Sequence, residues 1–282
     1  MKKALSRIVS LLLVLCLVTA LVPAVFAADE NEVQILFLDT SDVHGQQFAT
    51  DYTQDASLSG THYQGMTRVA TYVKEQRAEY KNVFLSDSGD TIQGTPLTYY
   101  YAFMKKDVDD PAMKVMRMMD YDMWVVGNHE FNYGMDILQR QLNYLTSEST
   151  ETESKVGVSM ANYLDANTNN DKTRDWKTWN SYAPYVIKEY DGVKVAVMGI
   201  GNPNVSKWDV PENWEGIYFA SVIDTYLHYE EEMDAASDLI VLYSHSGIDT
   251  DMESDFIRRL IGQTDTIDQN PSERFGGPQP SE

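Results

Sequence analysis

Residues 123–134 read Met-Trp-Val-Val-Gly-Asn-His-Glu-Phe-Asn-Tyr-Gly, and the change of character within this stretch decides the fold. Met123–Val126 is an apolar run of strand length, too short to make a helix of its own. At Gly127 it breaks into an amide, an imidazole and a carboxylate at successive positions. A buried strand that delivers polar groups at its carboxyl end is the mark of an α/β sheet with its chemistry along one edge.

The same arrangement recurs on both sides. Val33–Asp39 (VQILFLD) reads as a buried strand and runs into Thr40-Ser41-Asp42-Val43-His44-Gly45. Asn82–Leu85 leads to Asp87-Ser88-Gly89-Asp90-Thr91-Ile92-Gln93-Gly94, and Leu239–Tyr243 to Ser244-His245-Ser246-Gly247. Between these strands, Met66–Tyr80 carries Met66, Val69, Ala70 and Val73 at helical spacing. Pro111–Met119 is a helix with proline in its first turn, and its methionines are expected in the core. Met135–Leu145, Ser221–Ala236 and Met252–Ile261 are further helices, and Val156–Met160 a further strand. Pro184–Tyr190 and Val193–Gly199 flank Asp191-Gly192, a two-residue hairpin signal. The polar stretch Asp165–Ser181 is expected to be a surface loop. No internal repeat or interdomain linker interrupts the pattern, so the fold class is α/β with sheet layers covered by helices.

The 282 residues are 43% apolar, enough for a sizeable core and incompatible with a collagen-like or wholly disordered chain. Lys and Arg number 22 against 43 Asp and Glu, a formal charge of −21 that excludes wrapping of polymeric nucleic acid. A small phosphate ester remains an admissible substrate if a metal cluster supplies local positive charge.

Met1–Ala27 has Lys2, Lys3 and Arg7 before an apolar run through Leu11–Val22, then Pro23 and small residues up to Ala27. This is the pattern of a secretory signal peptide cut after Ala27. An uncleaved anchor is the alternative, because no charge falls between Ile8 and Ala28. Cleavage removes three basic residues and Cys16, the only cysteine, making the charge −24 and leaving the chain without disulfides. The expected protein is exported: extracellular or cell-wall associated, or periplasmic where an outer membrane exists. It would have no membrane span after cleavage.

The polar clusters contain carboxylates, imidazoles and an amide oxygen but no thiolate, a donor set for a hard or borderline divalent ion. Asp42 and His44, two apart on an expected extended loop, can face one ion while Val43 points inward. Asp90 has two oxygens with which to bridge a pair of ions, and Asn128 and His245 can complete a second shell. Gly89, Gly94 and Gly127 allow tight turns beside the cluster. Singly, each is an ordinary loop feature; in this order, each at a strand end, they point to one shared site. His62 and His228 are set apart, the first on a loop rim and the second solvated on an acidic helix.

Together, Asp42-Val43-His44-Gly45, Gly89-Asp90 with Gly94, Gly127-Asn128-His129-Glu130 and Ser244-His245-Ser246-Gly247 resemble the calcineurin-type metallophosphoesterases. More narrowly, the chain resembles the secreted 5′-nucleotidase and cyclic-nucleotide phosphodiesterase branch. Gly127-Asn128-His129-Glu130-Phe131-Asn132-Tyr133-Gly134 is most similar to bifunctional 2′,3′-cyclic-nucleotide 2′-phosphodiesterase/3′-nucleotidases, as are Gln93-Gly94-Thr95-Pro96, Ala161-Asn162 and Trp208-Asp209. The 5′-nucleotidases usually carry Asp at the place of Asn132, orienting the catalytic histidine. The resemblance covers roughly Ile35 to Asp268.

It implies a four-layer α/β/β/α sandwich with two divalent ions, Mn, Zn or similar, on one edge. Asp42 and His44 would bind the first ion, Asp90 would bridge, and Asn128 with His245 would bind the second. His129 would stand beside the leaving oxygen as general acid or transition-state donor, with Asn132 behind it. A metal-bridging hydroxide would attack the phosphorus of a small nucleotide. A 5′-nucleotidase is the alternative activity.

At its end the chain departs from the family, which places Gly-His-x-His after a further buried strand; no histidine follows His245. The domain is expected to span 28–268 and to be incomplete there. Residues 269–282, beginning Gln-Asn-Pro-Ser-Glu-Arg, read as a divergent disordered tail, since this polar stretch with Pro271 does not make a buried strand. Weaker metal binding, an unpaired sheet edge and a non-catalytic remnant are the corresponding expectations.

Overall fold

The computed structural model describes residues 32–50 and 65–246, and every element below belongs to one compact unit beginning at Gln34. The leader, His62, Met252–Ile261 and the tail lie outside the described residues.

Four short strands form a parallel sheet in chain order: β1 (Leu36–Thr40), β2 (Val83–Asp87), β3 (Met123–Val125) and β4 (Gly157–Ser159). The connections between them carry α1 (Met66–Glu79), α2 (Pro111–Met118) and α3 (Met135–Thr146). Helix α2 starts as its sequence predicts: Pro111 is its first residue, and the Asp110 carboxylate accepts from the Ala112 N–H at 2.8 Å. Its buried Arg117 donates to the carbonyls of Tyr144 (2.6 Å) and Glu148 (2.8 Å), tying it to the end of α3.

A second sheet pairs β6 (Tyr185–Tyr190) with β7 (Val193–Ile200) antiparallel, and β7 with β9 (Leu239–Ser244) parallel. The predicted hairpin joins β6 to β7, with Asp191 at φ 51° and Gly192 at φ 90°, the left-handed pair of a type I′ turn. Two three-residue strands that the sequence did not announce, β5 (Tyr163–Asp165) and β8 (Ile217–Phe219), pair antiparallel. Helix α4 (Val222–Ala236) is capped by Ser221.

Strand periodicity stacks these parts in order. On β2 and β3, Phe84, Met123 and Val125 pack with Val195 and Val197 of β7, so the two sheets meet face to face. The alternate residues Leu85 and Trp124 face the other way, into a core with Met66, Met113, Met116, Leu138 and Leu142 from α1–α3. On the far face of β7, Ala196, Met198 and Ile200 pack with Val222, Tyr229 and Met233 of α4. Helices, sheet, sheet, helix is the layer order that the resemblance implies. Met113 and Met116 lie in the core as expected, whereas Met118 faces solvent.

Two local expectations gain detail. The stretch Asp165–Ser181 is largely exposed, as a surface loop should be, but its buried Asn169 accepts from the N–H groups of Asp175 and Trp176, so one side chain satisfies two backbone donors of the loop. His228 is exposed as expected, and its ring stacks on Trp176 with centroids 4.3 Å apart.

Candidate metal centre

Because β1, β2 and β3 are adjacent and parallel, their carboxyl-end loops emerge side by side. Residues 42–45 run along residues 89–91: Asp42 N–H bonds Gly89 O (3.0 Å), His44 N–H bonds Asp90 O (2.9 Å) and Gly45 N–H bonds Thr91 O (2.7 Å). These bonds bend the first loop. Asp42 (φ 53°), His44 (φ 49°) and Asp90 (φ 58°) are all left-handed, so the expected extended loop is corrected to a tight turn. Left-handed non-glycine residues are held only where their surroundings over-determine them, and three fall on predicted ligands. Val43 does pack inward, against the helix-side core.

The loops also lock to one another. At Gly127 an added Cβ would stand 2.5 Å from Asp90 N and Oδ1, so only glycine fits between them. Glu130, whose role the local sequence does not reveal, is fully buried and accepts four backbone N–H bonds. Oε1 takes Thr91 (2.6 Å) and Ile92 (3.2 Å), while Oε2 takes Asp90 (2.8 Å) and Gly127 (2.8 Å). Burial and the charge of Asp90 push its carboxyl upward, and the backbone donors oppose them. Beneath it Asp87, lifted by burial to about 7, holds Thr40, Thr91 and the Gly89 N–H. Trp124 steadies Thr91 through its indole N–H at 3.0 Å.

His245 arrives from the second sheet. At the end of β9 its N–H bonds Ile200 O at 2.9 Å, and its ring crosses to the first sheet's loops. Nδ1 lies 2.9 Å from Ser88 O, while Nε2 lies 2.9 Å from Asn128 Oδ1 and 3.2 Å from Asp90 Oδ2. His44 Nδ1 likewise sits 2.7 Å from Gln93 O. A carbonyl only accepts, so both rings donate from Nδ1 and present Nε2 to the cluster, the orientation of metal-binding histidines. Donor atoms of His44, Asp90 and His129 lie within 4.8 Å of one another, and so do those of Asp42, Asp90 and His245. Asp90 belongs to both groups. Its Oδ1 also accepts the His129 N–H at 2.8 Å.

The donor set fits cations. Asn128 Oδ1 and Asp90 Oδ2 are two acceptors facing one imidazole nitrogen, which demands either a proton or a metal there. Without metal a proton fills that role: burial opposes the charge on His245, but the hydrogen bond and charge of Asp90 outweigh it and raise the imidazole to about 9. Asp90 is buried as well, yet His245 and the His129 N–H hold its carboxyl below the ordinary range.

His129 is 40% exposed at its side chain, with Nε2 4.0 Å from Asp90 Oδ2 and its ring 5.2 Å from that of His44. Its Nδ1 is 2.6 Å from Asn132 Oδ1, and Asn132 Nδ2 donates to Asp209 Oδ2 at 2.9 Å. All seven predicted site residues, Asp42, His44, Asp90, Asn128, His129, Asn132 and His245, therefore gather at one edge. Asp209 was visible in the sequence only as half of the Trp208-Asp209 pair, and its contact with Asn132 spans 77 positions.

A two-sheet sandwich carrying Asp, His and Asn ligand candidates at its strand ends defines a metallophosphoesterase scaffold. The calcineurin-like phosphoesterase family profile matches residues 35–268, and the chain belongs to that family. Among relatives, the 2′,3′-cyclic-nucleotide 2′-phosphodiesterase/3′-nucleotidase of Salmonella typhimurium is 31% identical over 82% of this chain and 35% of its own length. The Haemophilus influenzae protein of the same name is 30% identical over 78% of this chain and 32% of its own length. The chain thus spans about a third of the curated relatives it matches. Among solved structures, the calcineurin-like phosphoesterase YfkN of Bacillus subtilis aligns with a TM-score of 0.64 at 26% identity, covering 83% of this chain and 70% of that one. Among the described residues, no helix is long and apolar enough to cross a membrane.

Proposed function

We propose that this chain is the catalytic module of an exported, metal-dependent phosphoric ester hydrolase acting on small nucleotides, with 2′,3′-cyclic nucleotides and 3′-nucleotides as substrates. The observation that carries the reading is the convergence of five donor side chains, from strand ends in two sheets, around the shared carboxylate Asp90. Asp42, His44, Asp90, Asn128 and His245 would hold two divalent ions. When bound, such ions neutralise phosphate charge and lower the pKa of water.

The remaining work falls to the chain. His129, half-exposed with Nε2 4.0 Å from Asp90 Oδ2, would give a proton to the departing ribose oxygen. Asn132 holds the opposite ring nitrogen. Beside them Tyr99 and Phe103 pack on Tyr133, with centroids 6.2 and 5.1 Å away, and Phe103 and Tyr133 line a cavity of about 480 Å³. These rings, with Tyr133 next in sequence to Asn132, offer an aromatic surface of the kind that suits a nucleoside. The cyclic and 3′-nucleotide preference is taken from the names of the Salmonella and Haemophilus relatives, and export from the Met1–Ala27 leader pattern.

The test is calorimetric titration with Mn²⁺ or Zn²⁺, followed by assay on 2′,3′-cyclic AMP, 3′-AMP and 5′-AMP. His129→Ala should keep metal binding and lose turnover by about 10²-fold or more. An unchanged kcat rejects the role of His129, a preference for 5′-AMP makes the chain a 5′-nucleotidase, and failure to bind metal or turn over any substrate leaves a non-catalytic remnant.

A further inference from the structure

The placement of His129 raises the question of what fixes its proton. Asn132 can face the ring with either its oxygen or its nitrogen, since the two amide orientations have nearly the same shape. The structure resolves the choice through a residue far along the chain. Asp209 Oδ2 lies 2.9 Å from Asn132 Nδ2, and a carboxylate only accepts, so the amide nitrogen must turn to Asp209 and the oxygen to His129. His129 Nδ1 must then carry hydrogen.

Asp209 is itself held. Its Oδ1 accepts from the Val210 N–H at 2.8 Å and from Asn213 Nδ2 at 2.8 Å. Its backbone N–H closes the short helix Val205–Trp208 on Val205 O at 2.9 Å, and its carbonyl accepts from the Trp214 indole at 3.3 Å. Both carboxylate oxygens are thus committed, and the group cannot swing away without stripping its own turn.

We propose that Asp209 is a positioning residue: through the Asn132 amide it confines the His129 ring hydrogen to Nδ1, leaving Nε2 as the one ring atom free to exchange a proton at the reaction centre. This rests on the reading of His129 as the group beside the leaving oxygen. A neutral amide between imidazole and carboxylate transmits orientation without placing a second negative charge against the ring.

The first test needs no metal and no turnover. The ring ¹⁵N shifts of neutral His129 in the metal-free protein should report the Nδ1–H tautomer, and Asp209→Asn should convert it to a mixture; an unchanged tautomer overturns the proposal. The near-isosteric Asp209→Asn is preferred to Asp209→Ala, which empties the turn. The second test is a swap in the metal-loaded protein. With 3′-AMP, Asp209→Asn should lower kcat about tenfold to a hundredfold. The loss should vanish with p-nitrophenyl phosphate, whose phenolate leaves without a proton. Asn132→Asp should also be impaired, because two carboxylates then meet, and adding Asp209→Asn should raise turnover in that background. Losses that add, or that fall equally on both esters, reduce Asp209 to a structural role and overturn the proposal. If no form, the parent included, turns over any ester, the hydrolase reading fails, and the tautomer measurement alone decides the role of Asp209.

Discussion

Replacing Glu130 with glutamine removes no volume and alters no exposed surface, yet it strikes the joint between the two loops that carry Asp90 and Asn128. Each carboxylate oxygen serves two backbone donors: Thr91 and Ile92 on one side, Asp90 and Gly127 on the other. A glutamine keeps one oxygen and turns an NH₂ toward the remaining pair, so two buried N–H groups lose their partner whichever way the amide sits. At about 1–3 kcal/mol for each orphaned donor the gross cost is about 2–6 kcal/mol. Relief of a buried charge next to Asp90 returns part of it, and a net loss of about 3 kcal/mol is expected. For a domain of this size that is a fall in Tm of about 6–12 °C. Because the joint sets the spacing of Asp90 and Asn128, Mn²⁺ affinity should also fall about tenfold or more. Thermal unfolding followed by circular dichroism, with and without saturating Mn²⁺, measures the first quantity, and calorimetric titration the second. A variant with Tm within about 2 °C of the parent and the same Mn²⁺ affinity would refute the claim that Glu130 organises the site.

Two further outcomes follow from groups already described. His245, raised to about 9 in the metal-free protein from an ordinary value near 6.5, stabilises that form fully below about pH 6.5, and the contribution is lost as pH rises through about 9. The shift corresponds to about 3 kcal/mol at most, so the metal-free Tm should decline over that window. Mn²⁺ affinity should climb over the same range, since the ion displaces a proton; a flat profile for both contradicts the Asp90–His245 pairing. Gly192, at φ 90° with open space around its Cα, tests the hairpin: Gly192→Ala should cost about 1–2 kcal/mol by backbone strain alone, measured as a shift in the urea midpoint with unchanged metal affinity.

The legible parts of the molecule were those where chemistry and periodicity agree locally. Apolar runs of strand length that end in polar clusters, Met123–Val126 among them, announced β1–β3 and β9, and the Asp191-Gly192 pair announced the hairpin, because both signals lie within a few residues. Tyr163–Asp165 and Ile217–Phe219 were silent: three residues carry no usable alternation, and their pairing depends on distant rings such as Tyr163 and Phe219, 5.0 Å apart. The candidate ligands Asp42, His44, Asp90, Asn128 and His245 were legible as residue types at strand ends, but not their conformation. Asp42 and His44 are turned left-handed by bonds to residues 89–91, contacts between segments nearly fifty positions apart. Glu130 and Asp209 escaped for the same reason. Each looks like an ordinary acid in its own neighbourhood and acquires its role only when another loop folds against it.

The cations proposed for this site would be clasped from opposite halves of the sandwich, by Asp42, Asp90 and Asn128 on one side and His245 on the other. Ion occupancy and cohesion of the apolar seam formed by Phe84, Val125, Val195 and Val197 then become one thermodynamic quantity. Loading with metal would tighten the seam, and chelation would loosen it. By reciprocity, trimming methyl groups deep between the sheets and remote from every ligand, as in Val197→Ala, would register as weaker ion affinity, making the greasy interior a dial for the chemistry at its rim.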